Sequence, residues 1–137
     1  MTRILIADDH AILRKGLIEL LGSEIEGVVC GEARDGEEAL AAARSREWDL
    51  VLLDLKMPGR SGLDVLGELK RTQPNLPVLV LSLYPEDQLG ERALKAGASG
   101  YMNKGRAAAE LVKAIREVLE RGRYVSPALA ASLAPRS

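Results

Sequence analysis

The chain has 137 residues, 47% of them apolar, which fits one compact domain with a sizeable core. Nineteen basic and twenty acidic residues give a formal net charge of −1, which argues against this segment binding nucleic acid through a basic surface. Cys30 is the only cysteine, which excludes an internal disulfide and indicates a reducing compartment. With neither an apolar run long enough for a membrane span nor a leader, we expect a cytoplasmic protein without membrane contact.

Short apolar runs alternate along the chain with segments of helical periodicity. The runs predict five strands, at residues 3–7, 28–33, 50–53, 77–81 and 99–102. Apolar residues recur at helical spacing in five segments, at residues 12–21, 39–43, 63–69, 85–96 and 107–121. The first, third and fourth strands are apolar throughout, as expected of parallel strands buried on both faces. The pattern predicts an α/β fold with a five-stranded parallel sheet and helices on both faces.

Polar residues stand where the predicted strands end. They are Asp8 and Asp9 after the first strand, Asp54 after the third, Ser82 after the fourth and Lys104 after the fifth. Ligands of such sheets bind beyond the carboxyl ends of the strands, so these side chains should converge. Three close carboxylates repel one another and attract a hard divalent cation such as Mg²⁺. One carboxylate could then act as a nucleophile toward a phosphoryl group, assisted by the metal, the lysine and the hydroxyl.

This pattern resembles the receiver domain of two-component response regulators over residues 3 to about 121. The matching residues are Asp8-Asp9, Asp54-Leu55-Lys56-Met57-Pro58, Gly62, Ser82, Tyr101 and Lys104. The resemblance implies a flavodoxin-like sheet with strand order 2-1-3-4-5. It also implies a phosphorylation-dependent signalling switch that catalyses its own phosphoryl transfer and slow autodephosphorylation, rather than an enzyme that turns over an external substrate.

The resemblance further implies a role for each site residue. Asp54 would accept a phosphoryl group from a histidine kinase or a small phosphodonor. Mg²⁺ would be held by Asp9, Asp54 and the backbone carbonyl of Lys56, with Asp8 close by and acting partly through water. Lys104 would pair with a phosphoryl oxygen.

Two further residues would report the phosphorylated state, by the same resemblance. Ser82 would move to hydrogen-bond the phosphoryl group, and Tyr101 would turn inward into the vacated space. The coupled shift would repack the face built from the fourth helix, the fifth strand and the fifth helix, with homodimerisation as the expected result.

The tail, residues 122–137, resembles the linker of the LuxR-type (NarL/FixJ-like) subfamily, which leads into a DNA-binding helix-turn-helix domain. No such domain is present in this sequence. Ser126 and Pro127 favour the start of one short helix. We therefore expect a receiver domain over residues 1–121 and a linker over 122–137, belonging to a longer transcriptional regulator that contacts DNA only through its output domain. A naturally stand-alone receiver is the alternative.

Other functions remain open at this point. A degenerate receiver would serve only as an interaction module. A phosphatase with an aspartate nucleophile would have an acid two residues after it, where Lys56 stands. A flavin or nucleotide module would need a phosphate cradle after the first strand, and Asp8-Asp9-His10 is not one.

We expect His10 to begin a helix near the pocket rather than bind metal. Gly105 replaces the proline that often follows the lysine, which favours a trans Lys104–Gly105 peptide.

Overall fold

A computed structural model describes residues 2–82, 86–104 and 107–125; for residues 86–88, 107–109 and 125 it describes the backbone alone. The strands are β1 (Arg3–Ala7), β2 (Val29–Ala33), β3 (Leu50–Asp54), β4 (Val78–Ser82), β5 (Gly100–Asn103) and β6 (Tyr124–Val125). The helices are α1 (Ala11–Glu24), α2 (Gly36–Ser45), α3 (Gly62–Thr72), α4 (Glu86–Lys95) and α5 (Ala107–Arg121).

All neighbouring strands are parallel, in the order β2-β1-β3-β4-β5-β6. The predicted order 2-1-3-4-5 is therefore confirmed for the first five strands. Every residue of β3 and β4 is buried, which explains why their sequences are apolar almost throughout.

Alternate residues of the strands point into two separate core layers. On β1, Leu5 packs with the inner faces of α2 and α3, where Leu40 and Leu66 are buried. Ile4 points to the opposite layer, which contains Leu17 of α1 and Ile115 of α5. The sheet is thus held between helices on both faces, and its carboxyl edge is left for the loops that carry the polar residues.

The sixth strand was not predicted from the sequence. Gly122 has a φ of 83° and its N–H donates to the carbonyl of Val118, so it ends α5 and turns the chain back toward the sheet. Tyr124 then donates its N–H to the carbonyl of Ser99 at 2.7 Å and lies beside Gly100. The first residues of the predicted linker therefore belong to the sheet.

The predicted apolar stripe on α1 differs from the observed buried face. Ile12 is 88% exposed, whereas Leu17 and Leu21 are buried. The remaining buried position on this helix is Arg14. On α5, Leu119 is 38% exposed, whereas Leu111 and Ile115 are fully buried. The inner face of α1 is therefore rotated away from Ile12.

Some expectations lie outside the described residues, namely the Lys104–Gly105 peptide and the short helix beginning near Ser126. Among the residues that are described, no helix combines the length and the apolar character needed to cross a membrane.

Candidate functional site

The carboxyl edge of the sheet carries all the residues singled out at the strand ends. Asp54 is the last residue of β3, and Ser82 is the last residue of β4. Asp8 directly follows β1, and Lys104 directly follows β5. Because the strands are parallel and in register, these positions lie at one edge of the sheet.

Lys104 is shared between two carboxylates. Its Nζ lies 2.8 Å from Asp8 Oδ2 and 3.1 Å from Asp54 Oδ2. The lysine side chain is 7% exposed, and both aspartate side chains are 3% exposed. Buried charges persist only when they are paired, so this ammonium is a fixed part of the pocket rather than a solvated lysine.

The two oxygens of Asp54 have different surroundings. Oδ1 accepts a hydrogen bond from the N–H of Lys56 at 3.1 Å. Oδ2 is buried, accepts no hydrogen bond and forms an ion pair with the Lys104 ammonium at 3.1 Å. Burial raises the pKa of Asp54, and the Lys56 amide and the charge of Lys104 offset this only in part.

Asp8 is better satisfied than Asp54. Its Oδ1 accepts from the N–H of His10 at 2.9 Å and lies 3.0 Å from His10 Nδ1, while Oδ2 binds Lys104. Burial acts to raise the pKa of Asp8, but the bonds from Lys104 and His10 together outweigh it and hold that pKa below its usual value. The two buried carboxylates are therefore shifted in opposite directions by one shared cation and by unequal hydrogen bonding.

Asp9 and His10 complete an acidic cluster. The Asp9 side chain is 31% exposed, and its Oδ1 lies 3.3 Å from His10 Nδ1. One ligand atom from each of Asp8, Asp9, His10 and Asp54 lies within 4.8 Å of the others. His10 does precede α1 as expected, but its ring nitrogen faces the cluster and its side chain does not cap the helix.

The cluster fits a hard divalent cation. Its donors are mainly carboxylate oxygens, the ligands that Mg²⁺ prefers. Asp54 Oδ2 is a buried anionic oxygen that accepts no hydrogen bond, and such an atom is stabilised by a cation. Of Lys56 the site uses the N–H, which binds Asp54; a role for its carbonyl as a ligand stays a prediction.

Ser82 and Tyr101 lie beneath this pocket. Ser82 is fully buried at the end of β4, next to the position of Asn103 on β5. Tyr101 is fully buried on β5, opposite Val80, and belongs to the core layer that contains α2 and α3. Their movement on phosphorylation stays a prediction.

The loop from β3 to α3 is tied to Asp54 through its neighbour Leu55. Gly62 donates its N–H to the carbonyl of Leu55 at 3.0 Å. A Cβ at Gly62 would lie 2.3 Å from Leu55 Cα, so only glycine allows this approach. The hydroxyl of Ser61 accepts from the N–H of Asp64 at 3.2 Å and starts α3 at this point.

Sequence reasoning missed one residue beside the pocket. Arg14 is 7% exposed, donates from Nη1 to the carbonyl oxygen of Asp8 and from Nε to Glu32 Oε1 at 3.0 Å. Its position was a usable signal, because Arg14, Leu17 and Leu21 share the spacing of one helix face. A charged residue on a buried face calls for partners, and here they lie at the ends of β1 and β2.

A doubly covered parallel sheet of this order, with an acidic cluster and a buried lysine at its carboxyl edge, defines a receiver-type signalling domain. The family model for the response regulator receiver domain matches residues 4–116, and the chain belongs to this family. It is a phosphorylation-dependent signalling module, and the acidic cluster lies where receiver domains bind Mg²⁺.

Among curated proteins, the chain is similar to the response regulator GacA of Pseudomonas aeruginosa. The two are 44% identical over 138 residues, which cover 100% of this chain and 64% of GacA. The chain thus spans slightly less than two thirds of the length of this relative.

Solved structures show the same fold. A LuxR-family two-component response regulator from Aurantimonas sp. SI85-9A1 matches with a TM-score of 0.87 at 33% identity, over 97% of this chain and 96% of that one. TrrA of Thermotoga maritima, in complex with Mg²⁺-BeF, matches with a TM-score of 0.77 at 35% identity, over 86% and 99%. RcsB, solved as two dimers bound to two parallel DNAs, matches with a TM-score of 0.85 at 26% identity, over 96% and 67%.

Proposed function

We propose that Asp54 is the phosphoryl acceptor of this receiver domain. The main support is the environment of the Asp54 carboxylate. It is buried at the end of β3, it lies 3.1 Å from the buried Lys104 ammonium, and its Oδ2 accepts no hydrogen bond. A carboxylate held in this way is an oxygen nucleophile beside a positive charge, as aspartyl-phosphate chemistry requires.

The residues of the pocket divide the work of phosphoryl transfer. The Asp54 carboxylate attacks the phosphorus, the bond from phosphorus to the donor breaks, and the leaving group takes that electron pair. The Lys56 N–H holds Asp54 Oδ1 in place. The Lys104 ammonium, already 3.1 Å from Asp54, follows the negative charge to a phosphoryl oxygen. The domain thereby catalyses its own phosphorylation and, with water as the nucleophile, its slow dephosphorylation.

Mg²⁺ fits the same pocket. We assign Asp9, Asp54 and the Lys56 carbonyl as its protein ligands, with Asp8 beside them. When bound, the ion supplies positive charge to the phosphoryl oxygens. The Mg²⁺-BeF complex of TrrA supports a divalent ion in a receiver of this kind.

Ser82 and Tyr101 would convert phosphorylation into a surface change. Ser82 stands at the end of β4, and Tyr101 on β5 contributes its fully buried ring to the core beneath. We propose that the Ser82 hydroxyl moves to hydrogen-bond the phosphoryl group and that the Tyr101 ring turns inward into the space that Ser82 vacates. The surface of α4, β5 and α5 then shifts between two packings.

The larger protein and its partners are part of the proposal. We infer a histidine kinase as the phosphodonor, a cytoplasmic location, homodimerisation on phosphorylation and control of transcription through a DNA-binding output domain. The support is the similarity to GacA, of which this chain covers 64%, and to RcsB, whose dimers were solved on DNA. We propose residues 1–121 as the receiver and 122–137 as the linker, with Tyr124–Val125 of that linker completing the sheet.

One experiment separates this function from its alternatives. The protein is incubated with Mg²⁺ and a small acyl phosphate, and its intact mass is measured. We expect one alkali-labile phosphoryl adduct on the wild type and none on Asp54→Asn. An adduct that persists in Asp54→Asn would overturn the assignment of the acceptor. No adduct with any donor would support the degenerate receiver, and rapid turnover of phosphate esters would support a phosphatase.

A further inference from the structure

Arg14 is a buried charge that the proposed chemistry does not use. Apart from Lys104, whose side chain is 7% exposed, the buried polar or charged residues in the described part of the chain are Asp8, Arg14, Asp54 and Ser82. Three of them belong to the pocket at the strand ends, and the fourth lies on α1. Burying a guanidinium is costly unless its N–H groups are bonded, so its partners indicate what it does.

Those partners place Arg14 on the main chain of Asp8. Nη1 donates to the carbonyl oxygen of Asp8, and Nε donates to Glu32 Oε1 at 3.0 Å. The N–H of Asp8 donates to the carbonyl of Ala33 at 3.0 Å. The backbone N–H and carbonyl of Asp8 are therefore both hydrogen-bonded, although the last residue of β1 that pairs with its neighbouring strands is Ala7. Arg14 thus fixes the backbone of Asp8, the first residue after β1, in the way that strand pairing fixes the residues before it.

We infer that Arg14 is a positioning residue for the cation site of Asp8 and Asp9. The carbonyl that it binds belongs to the peptide joining these two residues, so the bond restrains the plane of that peptide and the directions of both side chains. Mg²⁺ demands oxygen ligands at ~2.0–2.1 Å in near-octahedral geometry. A rotation of this peptide would change the directions of the Asp8 and Asp9 carboxylates and would weaken their hold on such an ion. This inference rests on the proposed function.

The arrangement has the chemistry of a group that orients a metal ligand from outside. Such groups typically change metal affinity or activity by ~10–100-fold when they are removed, although they do not touch the metal. Glu32 completes the arrangement from β2, where its side chain is 46% exposed and can hold the guanidinium without entering the pocket.

The test compares Mg²⁺ affinity with stability in three variants. Arg14→Met keeps the length of the side chain and removes both hydrogen bonds. Arg14→Lys keeps the charge, but a single ammonium cannot reproduce the guanidinium's paired contacts. Arg116→Met is the matched control, since Arg116 donates from Nη2 to the carbonyl of Glu24 at 2.8 Å near the other end of α1. The Mg²⁺ Kd is measured by titrating MgCl₂ and following the amide signals of the loops, and stability by urea unfolding in EDTA.

We expect Arg14→Met to raise the Mg²⁺ Kd by about 10-fold or more, Arg14→Lys to raise it less, and Arg116→Met to leave it unchanged. Phosphorylation of both Arg14 variants should recover toward the wild-type rate at saturating Mg²⁺. A Kd within twofold of the wild type in Arg14→Lys and in any folded Arg14→Met protein overturns the inference, even if stability falls. Failure of the wild type to bind Mg²⁺ or to be phosphorylated would instead overturn the proposed function.

Discussion

Lys104 Nζ lies 3.1 Å from Asp54 Oδ2, an oxygen that accepts no hydrogen bond. The same nitrogen lies 2.8 Å from Asp8 Oδ2, so one ammonium serves two carboxylates. When both carboxylates are ionised, the buried trio carries an excess negative charge. Burial raises the pKa of Asp54, and the charge of Asp8 adds to that shift. The excess negative charge also explains why the pocket fits a cation.

Removing Lys104 should therefore destabilise the metal-free protein strongly. Lys104→Met leaves the buried Asp8 and Asp54 without their shared cation, and we expect the free energy of unfolding to fall by about 3 kcal/mol. Urea unfolding in EDTA at pH 7 measures this loss. Lys95→Met, at an exposed position on α4, is the control and should change stability by less than about 0.5 kcal/mol. Equal effects of the two substitutions would show that Lys104 is not a structural counter-charge.

Asp54 should make the metal-free protein less stable as pH rises. A carboxyl group whose pKa is raised by folding stabilises the folded state below its unfolded pKa, and this contribution is lost as pH increases through the folded pKa. The wild type should therefore lose stability relative to Asp54→Asn above the ordinary aspartate pKa of about 3.9, up to the raised value. Urea unfolding in EDTA between pH 4 and 7 tests the sign. The free energy of unfolding of the wild type minus that of Asp54→Asn should therefore fall as pH rises. A value that stays constant or rises with pH contradicts the raised pKa of Asp54, and Mg²⁺ should make the fall smaller.

The opposite sign applies to Asp8. Its pKa is lowered in the folded protein, so its contribution is present at neutral pH and is lost only as pH falls through the folded value. The pH dependence between 4 and 7 therefore reports Asp54 rather than Asp8.

Much of the fold was predictable because the central strands are buried on both faces. Residues 3–7, 50–53 and 77–81 are short apolar runs between turn residues. The first coincides with β1, the second matches β3 except that the observed strand ends one residue later, and the third matches β4 except that the observed strand begins and ends one residue later. β6 was not predictable in the same way, since a two-residue strand has no period. It depends on the turn at Gly122 and on the bond from Tyr124 to Ser99.

The sequence was enough to predict which polar side chains meet at the carboxyl edge of the sheet, but not the contacts between them. That Asp8 and Asp54 share an edge follows from parallel strands. Lys104 contacts both carboxylates because of the geometry of the loop that follows β5, and local sequence patterns do not encode that geometry. Arg14 was overlooked because the apolar face of the first helix was taken to begin at Ile12. Arg14 lies three residues before Leu17, a spacing that places both on one helix face, and this face is the buried one.

Asp9 should govern the response to Mg²⁺ without being needed for metal-free stability. Its side chain is 31% exposed and lies 3.3 Å from the His10 ring, so Asp9→Asn should cost less than about 0.5 kcal/mol in EDTA. The wild type should gain about 1.4 kcal/mol at a Mg²⁺ concentration ten times its Kd, and Asp9→Asn much less at that concentration. Chemical unfolding with and without MgCl₂ measures both. Glu47→Gln, at an exposed position far from the cluster, should respond like the wild type; a full response in Asp9→Asn would remove Asp9 from the ligand set.

Two glycines of α3 should respond in opposite ways to alanine. At Gly62 a Cβ would lie 2.3 Å from Leu55 Cα and 2.6 Å from its carbonyl oxygen, so the loop after Asp54 must move. We expect Gly62→Ala to cost about 1–3 kcal/mol and to slow phosphorylation, because the neighbouring Lys56 N–H orients Asp54. Gly67 lies in the same helix, where a Cβ would meet no atom within 4 Å beyond its chain neighbours and the backbone of the helix itself. Gly67→Ala should therefore stabilise the protein by roughly 0.5–1 kcal/mol at an unchanged rate. Urea unfolding and the rate of adduct formation measure both effects. A Gly62→Ala protein as stable and as fast as Gly67→Ala would show that the close approach of α3 to Leu55 does not position the acceptor.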